Sequence, residues 1–215
     1  MGGEQQDQEL RRRAEVMQAL TTQHLALQSA RSISGSEIAL RSTLYLTTLS
    51  SAVVALALVS RLGNAFLVFS LAILPVVFLL GLVSYGRMLQ NAVEYIIYGR
   101  AISRIMQFYA GIDPTTAEYF QGAQADETLL QGLGLFKFRW QQFLSATAMV
   151  AIVNAVVGGT FVAILIANIF QPVLWVPTTA GGAATLVIAA AFLRHQRRVW
   201  SRVVAAIPVA TRHAN

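Results

Sequence analysis

The chain has 215 residues, of which 55% are hydrophobic and 12% charged, and its mean hydropathy is +0.56. This balance lies well outside soluble globular usage and points to a single membrane domain. Cysteine is absent, which excludes a disulfide framework, a thiolate nucleophile and any zinc or iron–sulfur site built on sulfur; the net charge of +6 raises nucleic acid as a partner, but the arginines are placed by topology.

Residues 1–41 are polar and charged and carry no apolar core with a small-residue cleavage site, so no secretory signal is read there. From Gln5 to Arg31 neither Pro nor Gly occurs, and Leu10, Met17, Leu20, His24 and Leu27 fall at heptad-like spacing. The pattern predicts an amphipathic helix with a narrow stripe. Such a stripe suits a helix–helix seam, a membrane surface with Arg11, Arg12 and Arg13 near headgroups, or packing on the protein's own cytoplasmic face. Ser32-Ile33-Ser34-Gly35-Ser36 is expected to break this helix, its serines capping the next one with Glu37 in the first turn.

A first span is expected over residues 42–60. Thr43, Thr47 and Ser51 share one of its faces, with Thr48 and Ser50 beside them. Hydroxyls so placed either line a wet path or bond to helix carbonyls and to a neighbouring helix. Arg61-Leu62-Gly63-Asn64 is read as a turn short enough to force an antiparallel second span over residues 65–85, in which Pro75 predicts a tolerable kink.

Beyond Arg87 the positions of Leu89, Val93, Ile96, Ile97, Ile105 and Phe108 extend that helix out of the apolar layer until Gly111-Ile112-Asp113-Pro114 ends it. Arg100 and Arg104 share a face there, suited either to a lipid headgroup or anionic ligand, or to solvent and nearby carboxylates such as Glu94. Thr115 with Glu118 can cap a short further helix. Gly122, Gly132 and Gly134 interrupt the segment, and Phe136-Lys137-Phe138-Arg139-Trp140 has the aromatic and basic character of a membrane boundary.

The longest uncharged run, residues 143–170, predicts a third span, since about 20 apolar residues cross a bilayer. Ala151, Ala155, Gly159, Ala163 and Ala167 recur at every fourth position and make a ridge of small side chains for close helix contact. Asn154 lies near its midpoint and is read either as a hydrogen bond between helices or as one member of a ring at a constriction. Asn168 to Pro172 make the return turn. A fourth span is expected from about Val173 or Pro177 to Leu193, with Trp175 as interfacial anchor and Gly181 and Gly182 for close packing. Arg194, Arg197 and Arg198 follow as lipid or anion contacts, with His195 and Arg202 spread along the same extension.

With four spans and both termini on one side, only Arg61 of the 16 Lys and Arg falls on the other. This places both termini and the middle segment in the cytoplasm and anionic lipid beside the arginines. The fold class is all-α, a four-transmembrane-helix bundle with cytoplasmic extensions. Its divisions are an N-terminal amphipathic helix (1–41), a first hairpin (42–86), a helical segment (87–140), a second hairpin (141–193) and a basic tail (194–215).

Catalytic signatures are missing. No phosphate-binding glycine loop, nucleophile elbow or His-Glu-x-x-His occurs, and His24, His195 and His213 lack a second ligand at helical spacing, so neither an enzyme nor a metal or other cofactor is expected. The spans hold no ionisable residue of the kind charge-coupled transport uses. No nucleic-acid module is present either.

The segment Gln23-His24-Leu25-Ala26-Leu27-Gln28-Ser29-Ala30-Arg31, continuing through Ser36-Glu37, Arg41, Leu44-Tyr45-Leu46 and Ser50 to Leu56, with Ala101-Ile102-Ser103-Arg104-Ile105 further on, resembles a group of four-span actinobacterial membrane proteins. That likeness covers about the first half of the chain and implies no activity. In layout, two spans leading into a long cytoplasmic helix are similar to the SLATT effector modules of bacterial conflict systems, which implies pore formation. No site residue carries over from either. The expectation is therefore a homo-oligomeric channel or pore lined by Thr43, Thr47, Ser51 or Asn154. The alternative is a non-conducting scaffold or regulatory subunit with a cytoplasmic partner.

Overall fold

A computed structural model of the chain describes residues 2–112, 146–170, 173 and 175–206. Four helices follow one another: α1 (Gly2–Val59), α2 (Asn64–Ile112), α3 (Ala146–Phe170) and α4 (Trp175–Ala206). No strand occurs among the described residues. Each helix is long and apolar enough to cross a membrane, and a helix meets that environment because its backbone groups bond within the segment. The expectations for Asp113 to Trp140, for Gln171 and Pro172, and for the end of the basic tail concern residues outside the described ones.

One expectation is corrected. Ser32 to Ser36 does not end the first helix: α1 runs unbroken through it to Val59. No proline interrupts the backbone ladder before Pro75, and the Ser36 hydroxyl donates to the Ser32 carbonyl at 3.0 Å, a back-bond compatible with helix. The small residues instead serve packing. Ser34 is buried, and a Cβ added at Gly35 would meet the Tyr95 ring of α2 at 3.5 Å. A mid-helix glycine costs only about 1 kcal/mol, too little to interrupt so long a helix.

Contacts divide the chain into two compact units, Met1–Ser36 with Glu94–Arg139 and Glu37–Val93 with Trp140–Asn215. Both divisions fall inside helices, so residues 37–41 and 87–93, expected outside the spans, belong with the apolar unit. In the first unit α1 and α2 meet through Gly35 and Tyr95, and Arg31 lies 4.4 Å above the Tyr95 ring. Of the heptad positions, Leu20, His24 and Leu27 are half-buried, whereas Leu10 and Met17 are exposed.

The second unit is the bundle. After Val59 the chain turns through Gly63, whose φ of +56° is the left-handed conformation that favours glycine. The turn returns α2 antiparallel to α1, with Gly81 beside Tyr45 and Asn91 beside Glu37. Ser70, Leu74, Val77, Gly81, Ser84, Met88 and Asn91 bury one stripe of α2 at helical spacing. The helix passes through Pro75 without interruption. α3 contributes Val150, Ala151 and Val157 to the core, and α4 contributes Phe192. The outer faces are apolar: Leu58 is 79% exposed and Leu186 72%. Large apolar side chains outside and a polar amide inside suit a surround of acyl chains.

Candidate functional site

The polar centre of the bundle is Asn154, which the 3.6-residue repeat of α3 turns inward with Val150, Ala151 and Val157. It is 0% exposed. Its side-chain oxygen accepts the Tyr45 hydroxyl of α1 at 3.1 Å, and its amide donates to the Phe78 carbonyl of α2 at 3.1 Å. One side chain thereby joins three helices. Gly81 makes the space, because a Cβ there would overlap the Asn154 amide. The Asn154 amide is therefore enclosed within the chain's own bundle and bonded through both its oxygen and its nitrogen.

Two further polar contacts lie toward the arginine-bearing ends of the same helices. The Tyr85 hydroxyl donates to the Phe192 carbonyl at 2.9 Å and stands 3.3 Å from Nδ1 of His195, while its ring meets Phe192 edge-on at 4.6 Å. Asn91 donates to Glu37 at 2.9 Å, and the same carboxylate is paired with Arg41 at 3.6 Å. The bundle is thus tied α1–α3–α2 at Asn154, α2–α4 at Tyr85 and α1–α2 at Glu37.

The hydroxylated face of α1 points elsewhere. Thr43, Thr47 and Ser51 are all exposed, with Thr48 and Ser50. Thr43 donates to the Ala39 carbonyl at 3.0 Å, Ser51 to Thr47 at 3.0 Å and Thr48 to Leu44 at 2.9 Å, each within the helix. These side chains lie on the outer surface of the unit, and Asn154 does not join them.

The small-residue ridge is used over part of its length. Ala151, Ala155 and Gly159 are buried, Ala163 is half-buried and Ala167 is exposed. Gly159 and Gly181 are the crossing point of α3 and α4: a Cβ on Gly159 would overlap the Thr185 hydroxyl, and one on Gly181 would stand 2.8 Å from the Gly159 carbonyl and 2.7 Å from the Ala163 Cβ. A Cβ added at Gly182 would meet nothing within 4 Å, so no neighbour among the described helices crowds this position. Arg100 and Arg104 are exposed on α2 in the first unit; Arg194, Arg197 and Arg198 are exposed on α4 in the second.

Tyr45, Gly81 and Tyr85 are the positions in these polar contacts that reading the sequence missed. The available signal was a tyrosine deep in an apolar run, where a phenol hydroxyl needs an acceptor. Among the described residues no three His, Cys, Asp or Glu side chains cluster to hold a metal ion. Comparison with protein-family models, with curated proteins and with solved structures found no match.

Proposed function

We propose that this is an integral, multi-pass membrane protein that works as a homo-oligomer, with the hydroxylated face of α1 lining a water-filled path between subunits. The observation that carries this reading is a separation of polar groups: Asn154 is consumed inside the bundle, whereas Thr43, Thr47 and Ser51 stand exposed on one face of an apolar helix. Among the described residues the centre of the bundle is filled by buried side chains, so in this reading conduction requires association. The arginine distribution supports a cytoplasmic placement of both termini. The polar parts of α1 and α2 are then cytoplasmic helices, the first amphipathic.

The absence of native cysteine makes the test direct. Thr47→Cys and Ser51→Cys, reconstituted in liposomes that support ion flux, are expected to react with a water-soluble thiol reagent and to lose flux on labelling. Ala52→Cys, at a buried neighbouring position, is expected to stay inert. A detergent-solubilised monomer with no flux for any ion would overturn the reading.

A second reading, a regulatory scaffold, is favoured by a specific observation in the first unit. Leu10, Val16, Met17, Leu25 and Ile33 are exposed along α1 outside the expected span, a surface on which a cytoplasmic partner could pack. Deleting residues 2–30 separates the two readings: loss of partner capture with flux intact supports the scaffold's partner surface, and loss of flux ties those residues to the channel.

A further inference from the structure

We infer that the arginine-bearing end of the bundle is a seat for the phosphates of anionic phospholipids, held mainly by Arg87, Arg194, Arg198 and Arg202. The inference rests on the membrane reading above but not on conduction. Its first observation is how charge is divided. The first unit carries nine acidic and eight basic side chains, whereas the second carries one acidic side chain, Glu37, and eight basic ones. All of the net positive charge therefore belongs to the apolar unit.

The second observation is that Glu37 is already engaged, by Arg41 at 3.6 Å and Asn91 at 2.9 Å. No other side-chain carboxylate exists within that unit to neutralise Arg87, Arg194, Arg198 or Arg202. All four are exposed. Arg87 follows directly after the apolar stretch of α2, and Arg194 directly after that of α4.

The third observation is that these positions sit on a fixed platform. Tyr85 binds the Phe192 carbonyl, which brings the end of the α2 span level with the end of the α4 span. Arg87 lies two residues beyond the first of these anchors and Arg194 two beyond the second. Arg194, Arg198 and Arg202 follow at i, i+4 and i+8, along one side of α4. Guanidinium forks at the edge of an apolar surface match the phosphate oxygens of a lipid whose chains cover that surface. Arg61, at the opposite end of the unit, is single and provides a control.

The test uses the full chain in neutral detergent, with phosphatidylglycerol, phosphatidylcholine, inorganic phosphate and a single-stranded oligonucleotide as probes. Retention of each probe and the shift in melting temperature are read together. Phosphatidylglycerol is expected to be retained and to raise the melting temperature, with phosphatidylcholine and inorganic phosphate having little effect. Arg194→Gln/Arg198→Gln/Arg202→Gln is expected to lower the phosphatidylglycerol preference on the order of 100-fold, the triple Lys variant to keep most of it, and Arg61→Gln to leave it unchanged. Should the Gln variant fail to fold, the wild-type headgroup comparison and the Lys variant decide. Equal retention of both lipids, binding of inorganic phosphate alone, or preference for the oligonucleotide would overturn the inference. A wild-type chain that stays monodisperse without detergent would instead overturn the membrane reading itself.

Discussion

Replacing Asn154 by Leu tests the bundle lock directly. Leucine keeps the branched Cγ shape but can neither accept from Tyr45 nor donate to Phe78. Two interhelical hydrogen bonds are lost, at about 0.6 kcal/mol each in a membrane protein. The Tyr45 hydroxyl, fully buried, is left without its acceptor, which costs about 1–3 kcal/mol. Together these predict a destabilisation of about 2–4 kcal/mol. The Phe78 carbonyl adds little, because it keeps its own place in the α2 ladder. The assay is reversible unfolding in mixed micelles followed by circular dichroism. Tyr45→Phe alone should cost about 1–2 kcal/mol, and combining it with Asn154→Leu should fall short of the sum by at least about 0.5 kcal/mol, the mark of direct contact. Asn154→Leu unfolding within about 0.5 kcal/mol of the wild type would refute the lock, and altered flux at unchanged stability would return Asn154 to a conducting path.

Three further outcomes follow from local geometry. Gly159→Val should drive α3 from α4 and cost about 1–3 kcal/mol by overpacking, whereas Gly182→Ala, with open space around it, should be neutral or slightly stabilising; the same unfolding assay compares them. Tyr85→Phe keeps the ring on Phe192 and loses only the hydroxyl bond, so a loss of about 0.5–1.5 kcal/mol is expected. Gly35→Ala meets Tyr95 at ordinary van der Waals distance and removes a mid-helix glycine, which should raise stability by about 0.4–1 kcal/mol. A clear destabilisation there, measured by melting temperature, would contradict the unbroken path of α1.

Several features of this fold were legible before any coordinate. The long run around Asn154, the turn at Gly63 and the extension of α2 past Arg87 to Ile112 all follow from apolar length, turn chemistry and missing breakers. The expected break at Ser32 to Ser36 shows the limit of such reasoning, because the same serines and glycine serve as caps or as packing sites depending on what lies opposite. Here the Tyr95 ring lies opposite. The small-residue ridge was likewise visible as a pattern, yet Gly159 and Gly181 meet while Gly182 stands clear. Repeat spacing specifies a face of a helix without specifying which neighbour takes it.

That this chain forms apolar helices with most of its arginines gathered beyond the spans follows from residue order, because backbone hydrogen bonding in oil and hydropathy are properties of each segment alone. That Asn154 turns to Tyr45, 109 positions away, while the hydroxyls of Thr43, Thr47 and Ser51 face outward, depends on how the helices pack. Polar side chains in an apolar layer must find partners, and which partner lies within about 3 Å is set by how distant helices cross, not by the residues beside them in the chain.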